Sequence, residues 1–181
     1  MSHEITVRPT EVKFLEKLKE SKHSVVFKVW FQDKICIMKV YHDREPSEDD
    51  SPDSEVNLFV CESTAYVRLK AKGLCERGVV PYFCGLVRNL KSALWTCFDM
   101  FLDNSLPPNA ILIEYIPNLQ QIDLTNFSKG RLARIRQILD DIHEAGVLHG
   151  DPMPQNMMIS PGGQGKQGEQ DRVLWIDRHR N

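Results

Sequence analysis

His149-Gly150-Asp151-Pro152-Met153-Pro154-Gln155-Asn156-Met157-Met158-Ile159 is the stretch around which the chain is organised. It sets a carboxylate, Asp151, and a carboxamide, Asn156, five residues apart in a short loop. A segment with helical periodicity precedes this loop and an apolar run follows it. A second apolar run, Val173-Leu174-Trp175-Ile176, ends on another carboxylate, Asp177. Taken singly, each feature is ordinary: Asp-Pro turns and Asn side chains bonded to their own backbone are common loop chemistry. The information lies in the order, which runs His-x-Asp, four residues, Asn, strand, turn, strand, Asp.

Upstream of the loop the periodicities alternate between strand and helix. Residues 12–18 fit either, because Val12, Phe14 and Leu18 alternate while Val12, Leu15 and Leu18 share a helix face. Val25–Phe31 and Ile35–Tyr41 are β-branched and aromatic runs separated by Gln32-Asp33-Lys34, which predicts a hairpin. Lys39 is a charge inside the second run; most strand lysines face solvent. Residues 43–55 are acidic and interrupted by proline, and read as an exposed loop. Ser54 is placed to cap a helix from about Glu55 to about Lys72, bearing Val56, Phe59, Val60, Ala65, Tyr66 and Leu69. Val79–Val87 and Ala93–Phe101 read as further strands, and Ala110–Pro117 as a buried strand ending on proline. Ser128 opens a helix, about Lys129 to Ala145, with Leu132, Ile135, Ile138, Leu139 and Ile142 in one stripe and Gly146 as its stop.

In this order the polar positions resemble the active-site layout of the protein kinase-like superfamily. The resemblance implies an α+β, bilobal fold. An antiparallel small lobe with one main helix would occupy residues 1–116, and a truncated large lobe residues 117–181. It implies ATP and Mg²⁺ as cofactors. Asp151 would orient the attacking hydroxyl, and Asn156 and Asp177 would supply the hard oxygen ligands that suit Mg²⁺. Cys36-Ile37-Met38-Lys39 stands where these enzymes carry Val-Ala-Ile-Lys, so Lys39 would pair with ATP phosphates and with a helix glutamate. Glu62 is the preferred partner and Glu55, two turns earlier, the competing one. Val26 and Ile37 would lie against the nucleotide, Ile113 would be the gatekeeper, and Glu114 and Ile116 would meet the adenine edge with backbone groups.

The chain also departs from the pattern. Lys19, Ser21 and Ser24 stand at the three glycine positions of the phosphate loop, which weakens the expected nucleotide affinity. Gly150 gives His-Gly-Asp, the form also used by aminoglycoside and choline phosphotransferases, so the resemblance leaves the acceptor open between a protein and a small alcohol. Arg178-His179 replaces Phe-Gly after Asp177, and no activation segment follows within the 181 residues. The expected function is therefore an ATP-dependent phosphotransferase represented by an incomplete chain that is inactive alone. The alternative is a pseudokinase or fragment acting as a non-catalytic binding or oligomerisation module, with a protein partner covering the truncated lobe.

Composition narrows the rest. A net charge of −2 gives no electrostatic reason for nucleic-acid or membrane partners. Five cysteines without close spacing fit reduced thiols, and the first residues lack a signal-peptide form, so an intracellular, cytoplasmic protein is expected. Gly162–Gly168 reads as a hairpin tip, since it lacks the Lys-Ser/Thr ending of a P-loop.

Overall fold

A computed structural model describes residues 3–43, 57–148, 156–160 and 172–175. The architecture is α+β, with a five-stranded antiparallel sheet, a three-stranded sheet and two helices among the described residues. The chain forms two compact units. One holds the residues up to Val67 together with Phe83–Tyr115; the other holds Arg68–Tyr82 and the residues from Ile116 onward.

The first unit is built on strands β1 (Val12–Glu20), β2 (Ser24–Phe31), β3 (Lys34–Tyr41), β4 (Phe83–Val87) and β5 (Asn109–Glu114), in the order β1-β2-β3-β5-β4. Alternation decides the ambiguous segment at residues 12–18 in favour of a strand, because Phe14 reaches the core while Lys13 and Glu16 do not. Two register shifts interrupt β1, between Phe14 and Glu16 and between Lys17 and Lys19. The β2–β3 hairpin turns on Gln32 and Asp33 alone, both at positive φ (48° and 59°), and Lys34 already pairs with Phe31. Two consecutive left-handed residues match the right-handed twist of the flanking strands. At the far edge, Ile5 N donates to Leu86 O and Leu86 N donates to His3 O, at 2.9 and 3.0 Å. Gly85 permits this approach, since a Cβ there would stand 2.9 Å from Ile5 Cγ2.

One face of this sheet carries Val25, Phe27, Val29, Phe31, Cys36, Met38, Val40, Ala110 and Leu112, all buried. Residues 92–101 cover it, and they are not the strand expected at Ala93–Phe101. They form two short 3-10 turns, Ser92–Leu94 and Asp99–Phe101. The reason is the spacing of the aromatics: Trp95, Phe98 and Phe101 recur every third residue, which puts all three on one side of a three-residue helical path. Phe98 is the hub, with ring centroids 5.2 Å from Trp95, 5.2 Å from Phe101, 5.8 Å from Phe14 and 6.0 Å from Phe27. Residues 79–82 likewise precede the strand, which begins at Phe83.

Helix α1 (Leu58–Ala71) starts three residues later than expected. Asn57 caps it, its Oδ1 accepting from Val60 N at 3.1 Å, so the cap is not Ser54. Ser54, Glu55, Val56 and most of the acidic loop at 43–55 lie outside the described residues, as does Gly162–Gly168.

The second unit contains α2 (Lys129–Glu144) and the sheet β6 (Gln120–Gln121), β7 (Met157–Ser160), β8 (Arg172–Trp175), antiparallel in that order. Ser128 caps α2 by accepting from Arg131 N at 3.2 Å. Gly146 ends it at φ 71°, with Val147 N returning to Ile142 O at 3.2 Å. Ile135, Ile138 and Ile142 are buried, whereas Leu132 is 51% exposed and falls outside the stripe. Arg68 Nη1 donates to the Gly146 carbonyl at 2.7 Å and Arg77 pairs with Asp141, tying the C-terminal end of α1 and the turn after it to α2.

The aromatic hub gives a first prediction. Phe98→Ala should lower unfolding stability by about 3–5 kcal/mol, the range for truncating a buried phenylalanine, while Leu94→Ala, exposed on the same segment, should change it by under about 0.5 kcal/mol. Urea melts monitored by circular dichroism make the comparison.

Candidate functional site

Lys39 lies on the sheet face opposite the aromatic hub. The pleat sends Cys36, Met38 and Val40 into the core, and Ile37, Lys39 and Tyr41 to the other side. Register then fixes their neighbours. Lys39 lies between Val26 on β2 and Ile111 on β5, and Ile37 between Lys28 and Ile113. Four of the residues expected from the sequence, Val26, Ile37, Lys39 and Ile113, therefore share one face of three adjacent strands. Val26 and Ile37 are half-buried there, and Ile113 is buried. Lys28 Nζ sits 4.3 Å from the ring centroid of Tyr115 on the strand's C-terminal side.

α1 presents Phe59, Glu62, Ser63, Tyr66 and Leu69 as its buried stripe. These positions follow i, i+3, i+4, i+7 spacing, so a carboxylate occupies a place where the helix would ordinarily carry an apolar side chain. Lys39 Nζ meets Glu62 Oε2 at 2.5 Å, with the side chains 10% and 6% exposed. Tyr41 Oη donates to the same oxygen at 2.5 Å, and the Tyr41 ring packs edge-on against Phe59 at 5.7 Å. The lysine is thus buried and paired, with its ammonium 5.2 Å from the Tyr41 ring centroid.

Burying such a pair carries no general gain in stability. The desolvation of both ions roughly offsets their attraction, and well-packed apolar residues of similar volume serve as well or better. Removing one partner is different, because the other charge is left in the interior. Each of Lys39 and Glu62 therefore restrains the other's position.

The turn between β1 and β2 has a chemistry of its own. Ser21 Oγ accepts from Ser24 N at 3.1 Å and from His23 N at 3.3 Å, and donates to Ser24 O at 3.1 Å. Ser21 N donates to Ser24 O at 3.0 Å. The amides of Ser21, His23 and Ser24 are thus engaged by the turn itself. Lys19 pairs in register with Val26, one strand residue before this closure.

Of the remaining expected site residues, Asn156 is fully buried just before β7, and its neighbours Met158 and Ile159 fill the second unit's core. Glu114 ends β5 half-buried and Ile116 is buried in the second unit. Asp151, Asp177, His149, Gly150 and Glu55 lie outside the described residues. Among the described residues no group of three or more His, Cys, Asp or Glu side chains is arranged to hold a metal ion. No helix among them is long and apolar enough to cross a membrane.

Sequence reasoning missed Tyr41 as a partner of Glu62, although the signal was present: Tyr41 is two residues from Lys39 and so on the same face. It also passed over Cys36. A hydrogen bond with Cys84, followed by burial, pushes the Cys36 thiol far up, so it stays protonated and unreactive at neutral pH.

Comparison with known proteins finds no family model that matches the chain and no match among curated proteins.

The pair itself is open to measurement. Lys39→Ala should destabilise the fold by about 3–5 kcal/mol by leaving the Glu62 charge buried without its cation, whereas Lys39→Met combined with Glu62→Leu should recover most of that loss. Denaturant unfolding of the two variants distinguishes an ion pair needed for folding from one kept for another purpose.

Proposed function

We propose that the chain is a protein-kinase-like, ATP-dependent phosphotransferase fold whose first unit is the small, nucleotide-binding lobe. The observation that carries this reading is the buried Lys39–Glu62 pair, set on the same sheet face as Val26, Ile37 and Ile113. A lysine fixed by a carboxylate presents a positioned ammonium to phosphate oxygens, where charge neutralisation and placement are most of what phosphoryl transfer requires. Half-buried Val26 and Ile37 offer an apolar surface for a purine beside it. Glu114 and Ile116 would bracket the adenine edge. Asp151 would take the acceptor hydroxyl's proton, and Asn156 with Asp177 would hold Mg²⁺, which when bound neutralises charge on the phosphates. The His-Gly-Asp form supports a protein or small-alcohol acceptor alike.

The Ser21 turn supports a second reading, a pseudokinase that binds nucleotide weakly or not at all. Backbone amides already committed to Ser21 Oγ and to β-pairing are poorly placed to cradle phosphate. The two readings differ in a quantity that can be measured. With a dissociation constant of about 1 mM, Mg²⁺-ATP at about 10 mM stabilises the native state by about 1.4 kcal/mol. Thermal melts should show a small Mg²⁺-dependent rise with ATP that is absent in Lys39→Met. A flat response in the unaltered chain overturns nucleotide binding and leaves the scaffold reading.

Turnover requires more than binding, because misplacing the acceptor by about 1 Å lowers the rate on the order of 100-fold. With the phosphate turn closed on itself, no transfer from radiolabelled ATP to a generic protein or to choline is expected from the 181-residue chain. Transfer that vanishes in Asp151→Asn would contradict this expectation. Transfer equal in both would indicate a contaminating kinase.

A further inference from the structure

The Lys39–Glu62 contact is one rung of three. The same face of β3, continued past its last residue, offers Lys39, Tyr41 and Asp43 at alternate positions, and α1 with its cap offers Glu62, Phe59 and Asn57. Lys39 and Tyr41 converge on Glu62 Oε2. Asp43 Oδ1 accepts from Asn57 Nδ2 at 2.6 Å, and its second oxygen, Oδ2, accepts from Asn109 Nδ2 at 2.7 Å. Both amides also use their oxygens. Asn57 Oδ1 caps α1 at Val60 N, and Asn109 Oδ1 accepts from Asn89 N at 2.9 Å. One carboxylate therefore ties the start of α1 to β3, to β5 and to the turn after β4.

We propose that Tyr41 and Asp43 are positioning residues that hold α1 with Glu62 against Lys39, so that the lysine is set for an anion before any ligand arrives. The inference rests on the functional reading above for its purpose, though not for its geometry. Two properties make the arrangement a positioning device. Glu62 lies five residues beyond the cap, so a shift of the first turn of α1 moves its carboxylate directly. Tyr41 keeps that carboxylate anchored when Lys39 turns toward a phosphate, because its hydroxyl binds the same oxygen independently of the ammonium.

The experiment measures Lys39 itself in the absence of nucleotide. Pulse acylation with acetic anhydride, read at Lys39 by mass spectrometry, reports how often the pair opens, and amide exchange over Leu58–Tyr66 reports the helix start. Tyr41→Phe should raise Lys39 acylation about tenfold, the effect of losing one charge-assisted hydrogen bond, and Asp43→Ala, which loses two, by at least about tenfold, while β2 amides stay protected. The double exchange Asp43→Asn with Asn57→Asp keeps a donor facing an acceptor at each contact, and the carboxylate it introduces remains a good cap. It should return acylation to within about twofold of the unaltered chain, a rescue that mere loss of packing would not give. Unchanged acylation in both single variants, or a double exchange as reactive as Asp43→Ala, overturns the proposal. Should Asp43→Ala lose protection throughout β2, Tyr41→Phe, which deletes a single oxygen, decides alone. A chain that gives the expected acylation pattern but ignores Mg²⁺-ATP refutes the functional reading and not this one. A chain whose ATP-dependent melt survives in Tyr41→Phe with unchanged acylation refutes this one and not the other.

Discussion

Two opposite charges shielded from water at 2.5 Å impose the constraint on which the first unit depends. Neither Lys39 nor Glu62 tolerates burial without the other, since an isolated interior ion is far costlier than a paired one. The strand must therefore keep its register, because a slip of one residue would turn Lys39 into the aromatic core and bring Met38 or Val40 to the helix. The helix must keep its rotation, because Phe59 and Tyr66 flank Glu62 on the same stripe and pack on Tyr41 and Phe83. The apolar core on the other face sets sheet position, and the ion pair sets helix position. Each fixes what the other leaves loose.

Much of this was legible in the residues because the relevant signals are local and periodic. The β2–β3 hairpin, the buried strand at 109–114, both helices and the Ser128 cap follow from patterns within a few residues. Glu62 is singled out through the resemblance, by its place ahead of Ala65 and Leu69 on the helix. What escaped was decided by packing across the chain. Trp95, Phe98 and Phe101 alternate poorly but recur in threes, and the apolar sheet face that they cover favours a coiled path there over an extended one. Asn57 displaced Ser54 as a cap because Asp43, fourteen residues earlier in sequence, holds its amide and aims its oxygen at the helix. No window of sequence contains that reason. Asp151 and Asp177 remain readings of sequence order alone.

Ser21 stands at a position where the resembled phosphate loop carries glycine, and the two residue types act differently there. A glycine at a phosphate turn leaves amides pointing outward for an incoming anion. A serine hydroxyl brings an acceptor of its own, and here it takes the amides of His23 and Ser24. The turn thereby gains order in the ligand-free state and gives up part of its appetite for oxygen from outside. On the proposed nucleotide-binding reading, Lys39 would bear more of the work of attracting phosphate than it would beside an open amide loop.

The interruptions in β1 have a consequence for assembly. A regular edge strand invites a second chain to add its own strand and extend the ladder. β1 is nine residues long and largely exposed, but its register breaks twice, and Lys13, Glu16, Lys17, Lys19 and Glu20 crowd the same stretch with charge. At the opposite edge, the backbone of His3 and Ile5 already occupies the groups of Leu86. Both ends of the five-stranded sheet are thus poor templates for β-addition.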